Sequence, residues 1–280
     1  MLGHKLVQFL RKKHDVGTTM RGTFEDYRQY GIYEKKRTFE NVDVEDFPAL
    51  ERTISTFEPS VVINAVGVIK QLPSAKDAVK TIRLNALFPH QLAEMTHAMK
   101  MRLITIGTDC VFDGKKGNYS ETDAPNALDL YGRSKSLGET TEANCLTLRT
   151  SIIGRELKTA HSLVEWFLSN QGKTVKGYTN AVFSGFPTIV LAEIIERIIE
   201  DYPDLSGLYQ AASEPINKHE LLKLIRDAYR ADIEIEPFDD FKIDRSLDAA
   251  KFKSATGIEI PDWRTMIGRM AEDNSVYQKR

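Results

Sequence analysis

A chain of 280 residues, 41% hydrophobic and 28% charged, has the make-up of a folded globular protein of one or two domains and excludes a disordered or fibrous one. Its formal charge of −2, with both signs spread along the chain, carries no footprint for nucleic acid or an anionic membrane surface. No apolar run reaches the ~18 residues of a membrane span, and Cys110 and Cys145 sit in apolar stretches without metal or redox spacing, as buried thiols of a reducing cytoplasm would.

The elements alternate along the chain. Leu2 to Lys13 carries Leu2, Leu6, Phe9 and Leu10 at helical spacing, and His14 to Met20 reads as a short strand. Phe47 to Thr56 reads as a helix that ends before Pro59. Ser60–Gly67, "SVVINAVG", is an apolar, β-branched run bounded by Pro59 and Gly67, the pattern of a strand buried on both faces. A long helix fits Ala75 to Lys100, a second buried strand Arg102–Gly107, a helix Leu130 to Glu142, and a third strand Cys145–Ile153. This alternation predicts an α/β fold, a Rossmann-like doubly wound parallel sheet covered by helices on both faces.

Beyond about residue 154 the elements shorten and intermix. Helices are expected over Ser162–Asn170, Ile189–Glu200 and Lys218–Tyr229, the last opened by Asn217. Strands are expected near Ala181–Pro187, Gly207–Ser213 and Ile233–Phe238, and Trp263, Met266, Ile267 and Met270 mark a final helix docked on the core. The expected division is 1–154, a dinucleotide-binding domain, and 155–280, a smaller substrate-binding lobe, with parts of about 181–213 returning to the first.

The chemistry concentrates in "YGRSK". Tyr131 and Lys135 are four apart on a helix, so a phenol and an ammonium share one face. A nearby cation favours the phenolate, and a Tyr–Lys pair tuned in this way can exchange a proton with a carbonyl oxygen while hydride moves at carbon. By itself such a pair is more often an ordinary solvated helix face. Upstream, Thr108 and Asp109 follow the Arg102–Gly107 strand at its carboxyl end, the edge where open parallel sheets bind ligands. Asn64 ends another strand at that edge, beside the small Ala65 and Gly67. Asn85 is an amide inside the long helix, and Cys110 reads as a buried thiol that could also touch substrate. His90 and His97 lack a carboxylate or cysteine partner, so no metal site is expected.

The ordered set "VVINAVG", "RLNALFPHQLA", "IGTDCVFDG" and "YGRSKSLGE" resembles the extended short-chain dehydrogenases/reductases, and within them the dTDP-4-dehydrorhamnose reductase group. The resemblance covers nearly the whole chain and is strongest over 58–154. It implies NAD(P)H-dependent reduction of a nucleotide-linked 4-keto-6-deoxysugar, in the setting of surface polysaccharide supply. It assigns Tyr131 as proton donor to the C4 oxygen, Lys135 to the nicotinamide ribose and to lowering the Tyr131 pKa, and Thr108 to the same substrate oxygen. Asn85 matches an asparagine of a water-linked proton path, and Ala65, Val66 and Gly67 a turn lining the cofactor. Thr108, Asp109, Cys110, Phe183 and Ser184 would meet the sugar. Phe183 and Ser184 depart from the group's pattern, which leaves the particular sugar open. Sugar dehydratases of the superfamily carry Asp-Glu after the catalytic threonine. Here Asp109 is followed by Cys110, which disfavours dehydration.

Cofactor choice turns on "GTTMRG", where no acid stands to bind an adenine ribose and Arg21 is in reach of a 2′-phosphate. NADPH is therefore expected, with NADH as the alternative, and Asp43 is placed near the adenine. Met1, Leu2 and Gly3 would border the pyrophosphate, Gly3 matching the last glycine of the dinucleotide fingerprint, the one that lets helix and strand pack closely. The strand and first glycines of that fingerprint are missing. Roughly ten residues are thus expected upstream, with Met1 an internal methionine. A sugar-nucleotide epimerase and a non-catalytic NADP-binding regulatory subunit, as the beta subunit of methionine adenosyltransferase is in the same group, remain alternatives. A homodimer is compatible with the resemblance.

Overall fold

The computed structural model describes residues 1–70, 77–273 and 276–277. Helix α1 (Leu2–Leu10) buries Leu2, Leu6 and Leu10 on one face. Strands β1 (Thr18–Thr19) and β2 (Thr38–Phe39) form a short parallel pair, joined by an irregular segment with 3-10 turns at Arg28–Tyr30 and Lys35–Arg37. Helix α2 (Phe47–Phe57) starts at Asp46, whose carboxylate accepts from the Ala49 N–H. Then come β3 (Val61–Asn64), α3 (Ala78–Ile82), a π-helical turn (Arg83–Leu87), α4 (Phe88–Ala98), β4 (Arg102–Ile106), α5 (Leu130–Leu137) and β5 (Cys145–Arg149). The remainder comprises β6 (Ile152–Ile153), α6 (Leu163–Leu168), β7 (Lys173–Tyr178), β8 (Ala181–Phe183), β9 (Phe186–Pro187), α7 (Thr188–Asp201) and β10 (Gly207–Gln210). It closes with β11 (Ile216–Asn217), α8 (Lys218–Tyr229), β12 (Ile233–Phe238), β13 (Ile243–Asp244), α9 (Ala250–Thr256) and α10 (Trp263–Glu272).

The main sheet runs β10-β5-β4-β3, all parallel. Successive side chains point to opposite faces, and the core divides accordingly. Leu103 and Cys145 pack with Leu50 and Ile54 of α2 and Phe88 and Leu92 of α4. Ile104, Leu146 and Leu148 pack on the other face with α1, α7 and α10. These five strand side chains have no solvent exposure, and each of the four aliphatic ones contributes about 1.5–3 kcal/mol of burial. The sheet is thus covered on both faces, and "GLYQAAS" returns to it by pairing Gly207 with Leu146. At the other end β3 is an edge, its Val61, Val62 and Ile63 only half-buried, and among the described residues no strand pairs with its outer side.

Several elements differ from the sequence pattern. The strand expected over His14–Met20 contracts to Thr18–Thr19. Strand β7 has no clear signal because Lys173, Thr174 and Lys176 are exposed, yet it pairs with β12 along six residues. The start of the long helix at Ala75 lies outside the described residues. From Ala78 onward that helix widens at Arg83–Leu87, and Pro89 accounts for this. Proline has no N–H for the carbonyl of Asn85, four residues earlier, and its ring crowds that carbonyl, so an α-helical turn is disfavoured there. Among the described residues no helix is long and apolar enough to cross a membrane.

Candidate active site

Parallel β3 and β4 release their chains at one edge of the sheet, and the site is assembled there. Thr108 caps a 3-10 turn, Asp109–Val111, with its hydroxyl accepting from the Cys110 N–H at 3.2 Å and donating to Asp109 Oδ1 at 3.3 Å. Helix α5 begins at Asp129, whose carboxylate accepts from the Gly132 N–H at 2.8 Å and from the Lys70 ammonium at 2.8 Å. Gly132 fixes how α5 meets the Thr108 turn. A Cβ there would lie 2.2 Å from the Cys110 carbonyl oxygen and 2.4 Å from the Ala127 Cβ, so only glycine allows this approach. Tyr131 is thereby held half-buried beside Thr108, Asp109 and Cys110.

Burial pushes the Tyr131 phenol up, reinforced by the Cys110 thiol and the Asp109 and Asp129 carboxyls and opposed by the Thr108 hydroxyl. Lys135 is buried on the same helix and donates to the Ile106 carbonyl at 2.9 Å. Desolvation lowers its pKa to about 8, against the pull of Glu139. The expected lowering of Tyr131 by Lys135 is therefore not found. Loss of water around the phenol is the largest effect on it. The phenol is protonated at neutral pH, the state a proton donor needs. Burial also raises Asp109, with Arg245 opposing, and pushes Cys110 up to about 12, which leaves the thiol un-ionised.

Asn85 is 1% exposed and its amide is fully engaged. Oδ1 accepts from the Val68 N–H at 2.8 Å, and Nδ2 donates to the Val68 carbonyl and to Ser134 Oγ, both within 3.3 Å. It braces the exposed Ala65–Val66–Gly67 ledge against α5. Gly138 ends α5 where a Cβ would fall 2.0 Å from the Asn85 carbonyl, so the π-turn, the ledge and α5 lock together.

The remaining expected residues divide. Arg21 is exposed just after β1 and has no partner among the described residues. Asp43 is exposed, its Oδ1 accepting from the Glu45 N–H at 3.0 Å. Leu2 lies in the core, so Met1–Gly3 present backbone at the amino end of α1, which no side chain caps. A Cβ on Gly3 would meet nothing within 4 Å among the described residues. Two residues expected to meet the sugar lie in the interior. Phe183 is a core residue tilted against Trp263 at 5.5 Å. Ser184 is 2% exposed, and its hydroxyl and carbonyl accept from the Leu247 and Ser213 N–H groups, which ties two loops together. The two cations beside the site, Lys218 and Arg245, had no signal in the sequence. Arg245 reaches it from the residue after β13, donating Nε–H to the Phe112 carbonyl at 2.8 Å.

The ledge, the uncapped end of α1, the unpaired Arg21 and the Lys135 ammonium suit a dinucleotide laid across strand carboxyl ends. The fold and site define a Rossmann-fold protein of the short-chain dehydrogenase/reductase type. It is similar to a hypothetical dTDP-4-dehydrorhamnose reductase of Sulfolobus tokodaii, at TM-score 0.75 and 26% identity over 94% of each chain. It also resembles a Bacillus anthracis dTDP-4-dehydrorhamnose reductase in complex with NADP, at TM-score 0.73 and 17% identity, covering 92% of this chain and 98% of that one. More narrowly, the chain belongs to the RmlD substrate binding domain family, whose model matches residues 1–276. Relatives include the dTDP-4-dehydrorhamnose reductase of Aggregatibacter actinomycetemcomitans, 28% identical over 188 residues, 63% of each protein. Methionine adenosyltransferase 2 subunit beta of Danio rerio is 29% identical over 197 residues, 66% of this chain and 60% of that protein. The chain thus spans less than two thirds of the length of these relatives.

Proposed function

We propose that this protein is an NADPH-dependent reductase of a nucleotide-linked 4-keto-6-deoxysugar, acting in the cytoplasm. The observation that carries the reading is the protonated Tyr131 phenol held beside the Thr108 hydroxyl at the carboxyl edge of β4, with a buried Lys135 ammonium on the same helix. Bound cofactor would supply hydride to the ketone carbon. Lys135 spends one of its three protons on Ile106, so the others are available to a ribose hydroxyl. Thr108 orients the ketone oxygen and Tyr131 gives it a proton. Asn85 is a positioning residue that holds the ledge over which the nicotinamide would lie. Arg21 favours NADPH through the 2′-phosphate, with NADH the weaker ligand. The sugar lobe is assigned to 155–280.

The decisive experiment assays the purified chain with NADPH and NADH against a panel of nucleotide-linked 4-ketosugars. Tyr131→Phe should abolish turnover while cofactor affinity stays within about twofold. Turnover retained in that variant removes Tyr131 from its role, and a clear NADH preference removes Arg21. The subunit-beta relatives support a second reading, a regulatory subunit that binds the cofactor without reducing a sugar. A stoichiometric protein partner together with no reduction of any ketosugar would select it.

A further inference from the structure

In the proposed reduction Lys135 acts as an ammonium, yet its surroundings favour the neutral amine. Its side chain is buried, and its hydrogen bond goes to the uncharged Ile106 carbonyl. Desolvation works against its charge. Among the described residues the group that supports the charge is Glu139, four positions further on and just past the end of α5. Tyr131 shares the helix face one turn before Lys135 and is protonated. From β5 comes Arg149, which holds Glu139 rather than opposing it. Its Nε and Nη2 donate to the two carboxylate oxygens at 2.7 and 2.8 Å. The Arg149 and Glu139 side chains are 2% and 11% exposed. The guanidinium also lies over the Phe112 ring, 5.2 Å from its centre, and Phe112 ends the turn that Thr108 begins. A two-point pair of this kind fixes the direction as well as the place of a carboxylate. Buried ion pairs contribute little stability beyond apolar side chains of the same volume. What apolar side chains could not supply here is a negative charge beside Lys135.

We propose that Glu139, anchored by Arg149, keeps Lys135 an ammonium and so serves as a positioning residue for the reaction. Its part in the reaction rests on the reading of Lys135 as the group that holds the nicotinamide ribose. An ammonium has three protons and an amine two. With one given to Ile106, the ammonium offers a ribose two donors and a full charge, whereas the amine offers one donor and none. The charge also favours the phenolate left on Tyr131 once its proton has gone to the ketone oxygen. Glu139 touches neither ribose nor ketone in this scheme and acts through Lys135 alone.

The test reads the pH at which Lys135 loses its proton, by two routes on the whole chain. The first is urea unfolding between about pH 6 and 10, each protein compared with its own Lys135→Met counterpart, which isolates the stability gained as Lys135 deprotonates. In the wild type that gain begins at about pH 8. In Glu139→Gln it should begin about one pH unit lower or more, and Glu139→Asp, which keeps the charge, should restore most of the shift. Glu139→Gln with Arg149→Met removes the whole pair, leaves no lone guanidinium, and should show the same lowering. It also serves if Glu139→Gln alone does not fold, as circular dichroism would report. The second route is the pH profile of ketosugar reduction, whose alkaline fall in kcat should move down by the same amount while the sugar KM changes little. An onset unmoved in the folded variants overturns the proposal, because a purely structural pair lowers the urea midpoint alike at every pH. An onset that moves without the kcat profile of an active enzyme moving overturns the part of Glu139 in the reaction. A moved onset in a protein that reduces no ketosugar leaves the charge of Lys135 assigned to Glu139 and refutes the reductase reading.

Discussion

Gly132→Ala is the most direct probe of how the site is assembled. The added Cβ would stand 2.2 Å from the Cys110 carbonyl oxygen and 2.4 Å from the Ala127 Cβ. Carbon–carbon contacts are comfortable only at about 3.5–4.0 Å, so α5 must retreat from the Thr108 turn by roughly 1 Å. Overpacking of this kind costs about 1–3 kcal/mol. A displacement of about 1 Å between reacting groups costs on the order of a hundredfold in rate. Gly268→Ala, inside α10, is the control, because its Cβ meets nothing within 4 Å and helix propensity favours alanine by roughly 0.5–1 kcal/mol. Urea midpoints report stability, and steady-state reduction of a ketosugar reports geometry. Gly132→Ala should lose stability and most of kcat with cofactor affinity little changed, whereas Gly268→Ala should keep both. A Gly132→Ala protein with wild-type midpoint and kcat would refute the close approach as the device that places Tyr131.

Lys135 has a folded pKa of about 8, below its ordinary 10.5, because burial disfavours its charge. The unfolded chain therefore binds more protons between those values, and stability rises with pH across that window. Lys135→Met should remove that rise and stabilise the protein at pH 7 by about 1–3 kcal/mol while turnover is lost, as urea unfolding at pH 7 and 10 would show. His4 is buried, bonded to the Tyr277 hydroxyl at 2.7 Å, and held neutral by desolvation with a pKa near 2. Its contribution is fully present above about pH 6.5 and is lost as pH falls through the window toward 2. His4→Gln should flatten the acid limb, and the wild type should lose about 2–3 kcal/mol more than the variant between pH 7 and 4.5. Equal losses would show that His4 is not buried as the neutral form.

Much of the fold is legible in the sequence because burial on both faces of a parallel strand imposes a continuous apolar run. Val61–Asn64 and Arg102–Ile106 follow that rule. Helix α8 shows its own start through Asn217, whose side chain accepts from the Glu220 N–H. The Thr108, Tyr131 and Lys135 set is legible for a related reason. A strand's carboxyl end and a four-residue helical spacing are local facts, and they place these groups at one edge. Three-dimensional approach is not local. Nothing in "YGRSK" says that Gly132 meets the Cys110 carbonyl, or that Pro89 and Gly138 shape the turn around Asn85. Phe183 and Ser184 could not be told from pocket residues until Trp263 and Leu247 were seen packed against them. The sequence by itself determined most element types, the two-faced sheet and which residues stand at the strand-carboxyl edge, because periodicity and spacing are properties of the chain. The tertiary structure alone decided the protonation of Tyr131 and Lys135 and the approach of Arg245 to Asp109 and Cys110. Loss of water and the convergence of charges depend on segments far apart in sequence, which only the packed chain brings together.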